Sequence, residues 1–220
     1  MEDLEVKSNN DFNQEYKLCV LGQGAVGKTS LAIKFVDGVF ISRYDPTIED
    51  VYKKTIEIDE KQFSVEILDT AGTEIFTVMR DLYIRNSKGF AIIYSIASQS
   101  TFDQVQLFYN QIMNIKKEQP ALVLVGNKVD LSKTERIVHR EKGQTLADQW
   151  MCPFYETSAK HSINVNQIFM DLIRQIDRRL PYIRKASRQT DIPLTGISPI
   201  NYYFCCSFFT RKQKKQKQEK

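Results

Sequence analysis

Eight residues near the start of the chain, Gly22-Gln23-Gly24-Ala25-Val26-Gly27-Lys28-Thr29, follow the pattern GxxxxGK[ST]. Chemistry explains the spacing. The glycines let successive backbone N–H groups turn toward one anion, and the start of the following helix adds its dipole. Lys28 is placed to neutralise terminal phosphates, and the Thr29 hydroxyl is a hard oxygen donor suited to Mg²⁺. The motif lies between an apolar run, Leu18 to Leu21, and a helix-like run containing Leu31, Ile33, Phe35 and Val36, which is the setting that a phosphate loop requires. By itself it does not separate adenine from guanine, or a kinase from a switch.

A second string addresses the base. Asn127-Lys128-Val129-Asp130 follows the apolar run Ala121 to Gly126, at the strand edge where open α/β sheets bind ligands. Guanine presents two donors, N1–H and the exocyclic amine, where adenine offers an acceptor and a bare carbon. The Asp130 carboxylate can therefore accept both guanine protons and would oppose adenine. Such a polar readout discriminates far better than shape.

Around these motifs, the chain has 220 residues, 42% of them hydrophobic, enough for one sizeable core. Apolar runs at Leu18 to Leu21, Phe63 to Leu68, Phe90 to Ile96 and Leu122 to Val125 read as strands, the last two continuous enough to be buried on both faces. Helical periodicity appears in one run from Phe102 to Ile115 and again from Ile163 to Ile176. The alternation predicts an α/β fold: a six-stranded, mostly parallel sheet with helices on both faces. Thr55 to Ile58 and Phe63 to Ile67, joined by the polar Asp59-Glu60-Lys61-Gln62, predict one antiparallel hairpin at the sheet edge. Residues 1–15 are polar and acidic and are expected to be disordered. Pro181 is expected to follow the last helix, giving a domain over 16–180 and a flexible tail over 181–220.

With both motifs in view, the chain from Tyr16 to Leu180 resembles the Ras family of small GTPases, and its Rap branch in particular. Tyr44-Asp45-Pro46-Thr47-Ile48-Glu49-Asp50 is similar to the Ras and Rap effector segment. Asp69-Thr70-Ala71-Gly72 and Ser158-Ala159-Lys160 match two further family strings. The resemblance implies a GTP/GDP-regulated switch in signal transduction, a slow GTP hydrolase that uses Mg²⁺. It implies that Thr47 joins Thr29 in the metal shell, that Asp69 holds a metal-bound water, and that the Gly72 N–H meets the γ-phosphate. Phe40 and Lys128 would flank the base, the Ala159 N–H would contact the guanine carbonyl, and Ser30, Tyr44, Ser158 and Lys160 would complete the nucleotide contacts. Tyr44 to Asp50 would bind effectors. Thr47 and Gly72 sit on two loops that a γ-phosphate could order and hydrolysis release.

Two departures bear on rate. Thr73 stands where most of the superfamily has the glutamine that positions the attacking water, and a threonine is too short to reach it. Rap proteins share this threonine and rely on an activating protein for the missing group, and Phe76 with Thr77 to Tyr83 is also Rap-like. Lys28, Gly72 and Thr73 are thus the candidate catalytic positions. Ala25 replaces a family glycine, and its methyl restricts the phosphate loop. Three readings stay open: a hydrolysing switch with an exchange factor, a Rap-type activating protein and GTP-dependent effectors; a nucleotide-bound scaffold without hydrolysis; and an ATP-using P-loop enzyme, against which Asp130 argues.

The net charge of +4 is concentrated in the tail, where the last ten residues carry six Lys or Arg against Glu219. This favours an anionic membrane over nucleic acid, which a basic stripe on the folded part would meet more naturally. Cys19, Cys152, Cys205 and Cys206 show no disulfide-like spacing, and the opening residues lack signal-peptide regions, so the reducing cytosol is the expected compartment; the resemblance implies a monomer, and the basic tail a peripheral position on a membrane. The final Lys217-Gln218-Glu219-Lys220 is not a C-a-a-X box, and prenylation is not expected. Tyr202, Tyr203, Phe204, Phe208 and Phe209 surround Cys205 and Cys206, which are candidate acylation sites beside an aromatic cluster able to enter the bilayer surface. A reporter fused to residues 200–220 is expected to collect on anionic vesicles, to dissociate as salt rises, and to bind more weakly in cells once both cysteines are serine. A reporter that remains cytosolic, with neither cysteine modified by mass spectrometry, contradicts the anchoring expectation.

Overall fold

The computed structural model describes residues 15–42, 49–70, 77–133 and 135–186. The chain divides into two units, Met1–Pro181 and Tyr182–Lys220. The first contains a six-stranded sheet in the order β2-β3-β1-β4-β5-β6. Its strands are β1 (Glu15–Leu21), β2 (Glu49–Ile58), β3 (Lys61–Thr70), β4 (Gly89–Ser95), β5 (Ala121–Asn127) and β6 (Phe154–Thr157). Only β2 is antiparallel to its neighbour; β1 pairs in parallel with β3 and β4, and β5 with β4 and β6.

Every residue of β4 and of β5 is buried, and this follows from helices on both faces. Alternate side chains feed two cores. Leu18, Val20, Ile93 and Val125 pack with α1 (Lys28–Asp37) and α6 (Val165–Ala186) through Leu31, Phe35, Ile168 and Phe169. Cys19, Leu21, Ile92 and Leu124 point the other way, toward α2 (Thr77–Asn86), α4 (Val105–Ile115) and α5 (Arg140–Gln149) through Ile84, Ile112 and Ala147. The predicted α/β architecture, with its single antiparallel edge strand, is the observed one.

Three local expectations are corrected. The hairpin turn is two residues long, not four: Asp59 and Glu60 both take positive φ, 52° and 64°, while Lys61 and Gln62 already pair with Ile58 and Glu57. Two positive φ values give a turn whose twist matches the strands, so the ladder continues to its edge. The run from Phe102 to Ile115 is two helices, α3 (Gln99–Asp103) and α4, broken at Gln104. Thr101 accounts for the break, because its buried hydroxyl donates to Ser98 O and accepts from the Ser95 N–H, tying α3 to the end of β4. Finally, α6 runs through Pro181 to Ala186. A proline deletes one helical hydrogen bond and crowds the carbonyl four residues back, which kinks a helix as readily as it ends one.

Tyr94 in β4 is fully buried, and its hydroxyl has no hydrogen-bond partner. Two glycines make room for it: a Cβ at Gly126 would lie 2.8 Å from this oxygen, and one at Gly143, inside α5, 2.5 Å away. Burial and the Glu156 charge push its pKa up, so it stays a neutral phenol. An unpaired buried hydroxyl costs about 1–3 kcal/mol. Tyr94→Phe is therefore expected to keep or raise the denaturation midpoint, whereas Gly143→Ala lowers it by overpacking; a Phe variant clearly less stable than the parent would show that the hydroxyl is bonded.

Candidate functional site

The motif strings converge at the carboxyl ends of β1, β3, β5 and β6. From the last residue of β1 the chain turns sharply into α1. Gly22 cannot be larger, since a Cβ there would sit 2.2 Å from Ile93 O, and its φ is +151°. Gly27 has φ +96°, and a Cβ on it would lie 2.5 Å from Asn127 Nδ2. Gly24, by contrast, opens on free space. Ala25 is exposed and held at φ 61°, a left-handed conformation that costs an L-residue about 1–2 kcal/mol. The departure from glycine at this position is thus strained, and the phosphate loop carries the strain directly.

Lys28, first residue of α1, is 6% exposed, and its ammonium donates to Gln23 O at 3.1 Å, folding back over the loop. Burial lowers its pKa to about 8, with the Asp69 carboxylate acting in the opposite sense. Desolvation disfavours the charged form and a nearby anion favours it, so phosphate and protonated Lys28 stabilise one another. The Thr29 hydroxyl donates to Asp69 Oδ2 at 2.5 Å. Asp69 is fully buried near the end of β3, and its strand is fastened to β1 by the Thr70 hydroxyl, which donates to Val20 O at 2.9 Å. A hydroxyl and a carboxylate facing one another are hard oxygen donors, the set suited to Mg²⁺. Among the described residues no group of three His, Cys, Asp or Glu side chains converges.

Asn127 joins the phosphate loop to the base strings. Its Nδ2 donates to Val26 O at 2.9 Å, and its Oδ1 accepts from the Thr157 hydroxyl at 3.0 Å. All of Asn127 and Thr157 is buried. Lys128 then takes φ 70°, reversing the chain into a 3₁₀ turn, Val129–Leu131, that presents Asp130. Asp130 Oδ1 accepts from the Ser158 hydroxyl at 2.7 Å, and that hydroxyl accepts in turn from the His161 N–H at 3.1 Å. Ala159 is buried and Lys160 exposed. A second glimpse of order lies at the β2 edge, where the Tyr83 hydroxyl of α2 donates to the Glu49 carboxylate.

The structure therefore gathers Gly22 to Thr29, Asp69, Asn127, Lys128, Asp130 and Ser158 into one region. Match to a family model then decides the kinship: the model of the Ras family aligns with residues 17–178. This chain belongs to the Ras family. It is a small GTPase of the Ras superfamily, and the family's general properties are binding of GTP and GDP with Mg²⁺, GTP hydrolysis, and dealings with exchange factors, activating proteins and effectors.

Not every candidate falls within this Ras-family site as described. Tyr44, Asp45, Pro46, Thr47 and Ile48 lie outside the described residues, as do Gly72, Thr73, Cys205 and Cys206. Phe40 follows α1 and is 39% exposed, beside the exposed Val39 and Ile41. Glu49 and Asp50 are exposed residues of β2. Sequence reasoning passed over Thr157, which looks like an ordinary strand residue beside Ser158, and it passed over Arg136, whose role depends on a partner twenty residues away. Cys19 and Cys152 are thiols whose burial pushes the pKa of each up to about 12, which leaves them unreactive.

Proposed function

We propose that this Ras-family protein is a guanine-specific switch of the Rap type, which hydrolyses GTP slowly and binds effectors through Tyr44 to Asp50 while GTP is bound. The observation that carries the reading is the Asp130 carboxylate. It stands at the end of the sheet, tied to the second base loop by Ser158, with Asn127 linking the same loop to the phosphates' cradle. One carboxylate oxygen is engaged by Ser158, and the group retains acceptor capacity for the two adjacent donors of guanine.

The remaining roles follow from charge and geometry. The backbone N–H groups of Gly24 to Lys28 and the positive end of α1 hold the phosphates, and Lys28 screens the charge that builds up on transfer. Thr29 and Asp69 would hold Mg²⁺, with Thr47 joining them in the GTP state; the ion's contribution is to neutralise phosphate oxygens. Asp69 is buried, so it can orient a water without being exchanged into bulk solvent. Thr73 leaves the attacking water without a positioning amide, and a Rap-type activating protein supplies that group. The tail's basic and aromatic residues contact the cytoplasmic face of an anionic membrane, with Cys205 or Cys206 as acylation sites.

A single substitution tests the base assignment. Asp130→Asn is expected to weaken GDP binding and favour xanthosine diphosphate, whose extra carbonyl accepts from an amide; ATP should fail to displace labelled GDP from the parent. Unchanged GDP affinity in the variant sinks the assignment of Asp130 to guanine.

Thr73 favours one competing reading, the nucleotide-bound scaffold, and single-turnover hydrolysis separates the two. The switch is expected to turn over more slowly than the roughly 4 × 10⁻⁴ per second of its relative Ras, to accelerate with a Rap-type activating protein, and to accelerate intrinsically as Thr73→Gln. Hydrolysis that neither the activating protein nor glutamine increases supports the scaffold.

A further inference from the structure

Behind the two base loops lies an ion pair that touches none of the motifs. Arg136 belongs to the segment that follows the Asp130 turn, and Glu156 is in β6, two residues before Ser158. The pair is bidentate: Arg136 Nη1 donates to Glu156 Oε1 at 2.6 Å and Nη2 to Oε2 at 3.1 Å. Arg140, at the start of α5, adds a weaker contact at 3.5 Å. The side chains of Arg136 and Glu156 are only 18% and 12% exposed, so solvent screens the pair poorly. Arg136 stays charged, its pKa raised by the hydrogen bonds to Glu156.

Each partner is also bound to the backbone around it. Arg136 Nη1 donates to Val138 O at 3.0 Å, and Val138 N–H donates to Ile96 O at 2.9 Å, which fixes the segment to the end of β4. Upstream, Glu135 N–H donates at 2.8 Å to the carbonyl of Leu131, the last residue of the turn that carries Asp130. On the other side Glu156 O accepts from Asn164 Nδ2 at 2.8 Å, and Ser158 and Ile163 exchange a pair of backbone bonds at 3.1 and 3.0 Å. The two loops that carry the base contacts are thus joined in front by Ser158 with Asp130 and by Thr157 with Asn127, and behind by Arg136 with Glu156. A single hydroxyl bond leaves a loop free to pivot, whereas a planar bidentate contact resists rotation as well as separation.

We propose that Arg136, through Glu156, is a positioning residue for guanine recognition: it sets the spacing between the Asp130 turn and the Ser158 loop without meeting the nucleotide. The inference rests on the assignment of Asp130 to the base. Its consequence is selective. Loss of Arg136 lets the Asp130 turn move relative to Ser158, and the interaction most damaged is the two-point contact with guanine. The phosphate loop keeps its own tie to Asn127 and is largely spared.

Inosine diphosphate reports this selectivity, because hypoxanthine keeps N1–H and lacks the exocyclic amine. Release of fluorescent GDP and IDP is measured from full-length parent, Arg136→Ala, Arg136→Lys and Glu156→Gln, with thermal denaturation of each. Arg136→Ala is expected to release GDP about tenfold faster, the scale of a broken partly buried ion pair, and to release IDP only slightly faster, so that the preference for GDP narrows. Glu156→Gln should do the same, the two changes together should not add, and Arg136→Lys, which keeps charge with a single donor point, should fall between. Equal acceleration of GDP and IDP with a lowered denaturation midpoint would mean that the pair merely stabilises the fold, and unchanged release would mean that it does nothing for binding; either overturns the proposal. A parent that shows no preference for GDP over IDP and ADP overturns the Asp130 assignment instead, and so the two failures are distinguishable.

Discussion

The site depends on one buried amide. Asn127 spends its donor on the phosphate loop and its acceptor on β6, so that three segments distant in sequence are held by a single side chain. Both bonds lie in the buried core, where an unmatched amide group would cost about 1–3 kcal/mol. That penalty makes the arrangement nearly all-or-none. Gly27 shows how tightly it is packed, since even a methyl group there would strike the Asn127 amide. An Asp at 127 would lack the donor, and a Leu would lack both functions.

From that junction the chemistry spreads in two directions along the edge of the sheet. Toward β1 and β3 lie a desolvated lysine, a strained loop and a hydroxyl facing a carboxylate. Toward β5 and β6 lie a carboxylate, a hydroxyl and backbone groups ordered by mutual hydrogen bonds. The central strands β4 and β5 are buried along their whole length, a close-packed platform for both halves. Ala25 is the exception, an exposed residue that stores backbone strain where the phosphates would lie. Strain of this kind is tolerated when the surroundings define the loop so strongly.

Among the described residues, buried polar atoms without a partner occur both in the phosphate loop, at Gln23 Oε1, and away from the ligand edge, at Tyr94. The unpaired Tyr94 hydroxyl lies under α5, and the space it needs is made by glycines in β5 and α5. Glu156 contributes to the field that keeps this phenol neutral while its carboxylate engages Arg136.

The glycine-lysine-threonine string, the Asn127 to Asp130 string and the alternation of apolar runs were all legible in the sequence, because each is a local pattern: consecutive residues that one backbone turn or one strand must satisfy. The single antiparallel edge and helices on both faces could be anticipated for a related reason, since only a few topologies bury such runs, whereas the strand order comes from the structure alone. What the sequence did not disclose are relations between distant residues. Thr157 is one polar residue among many until β5 and β6 pair and bring it to Asn127. Arg136 and Glu156 are ordinary surface charges until the segment after Leu131 folds back against β6. The extent of α6 beyond Pro181 and the break at Gln104 likewise escape periodicity, because the first depends on how a helix absorbs a missing bond and the second on a hydroxyl reaching back to β4. Local chemistry determined which groups the protein carries; only tertiary structure decided which of them meet, since that depends on sheet register and on the desolvation of pairs that lie far apart in the chain.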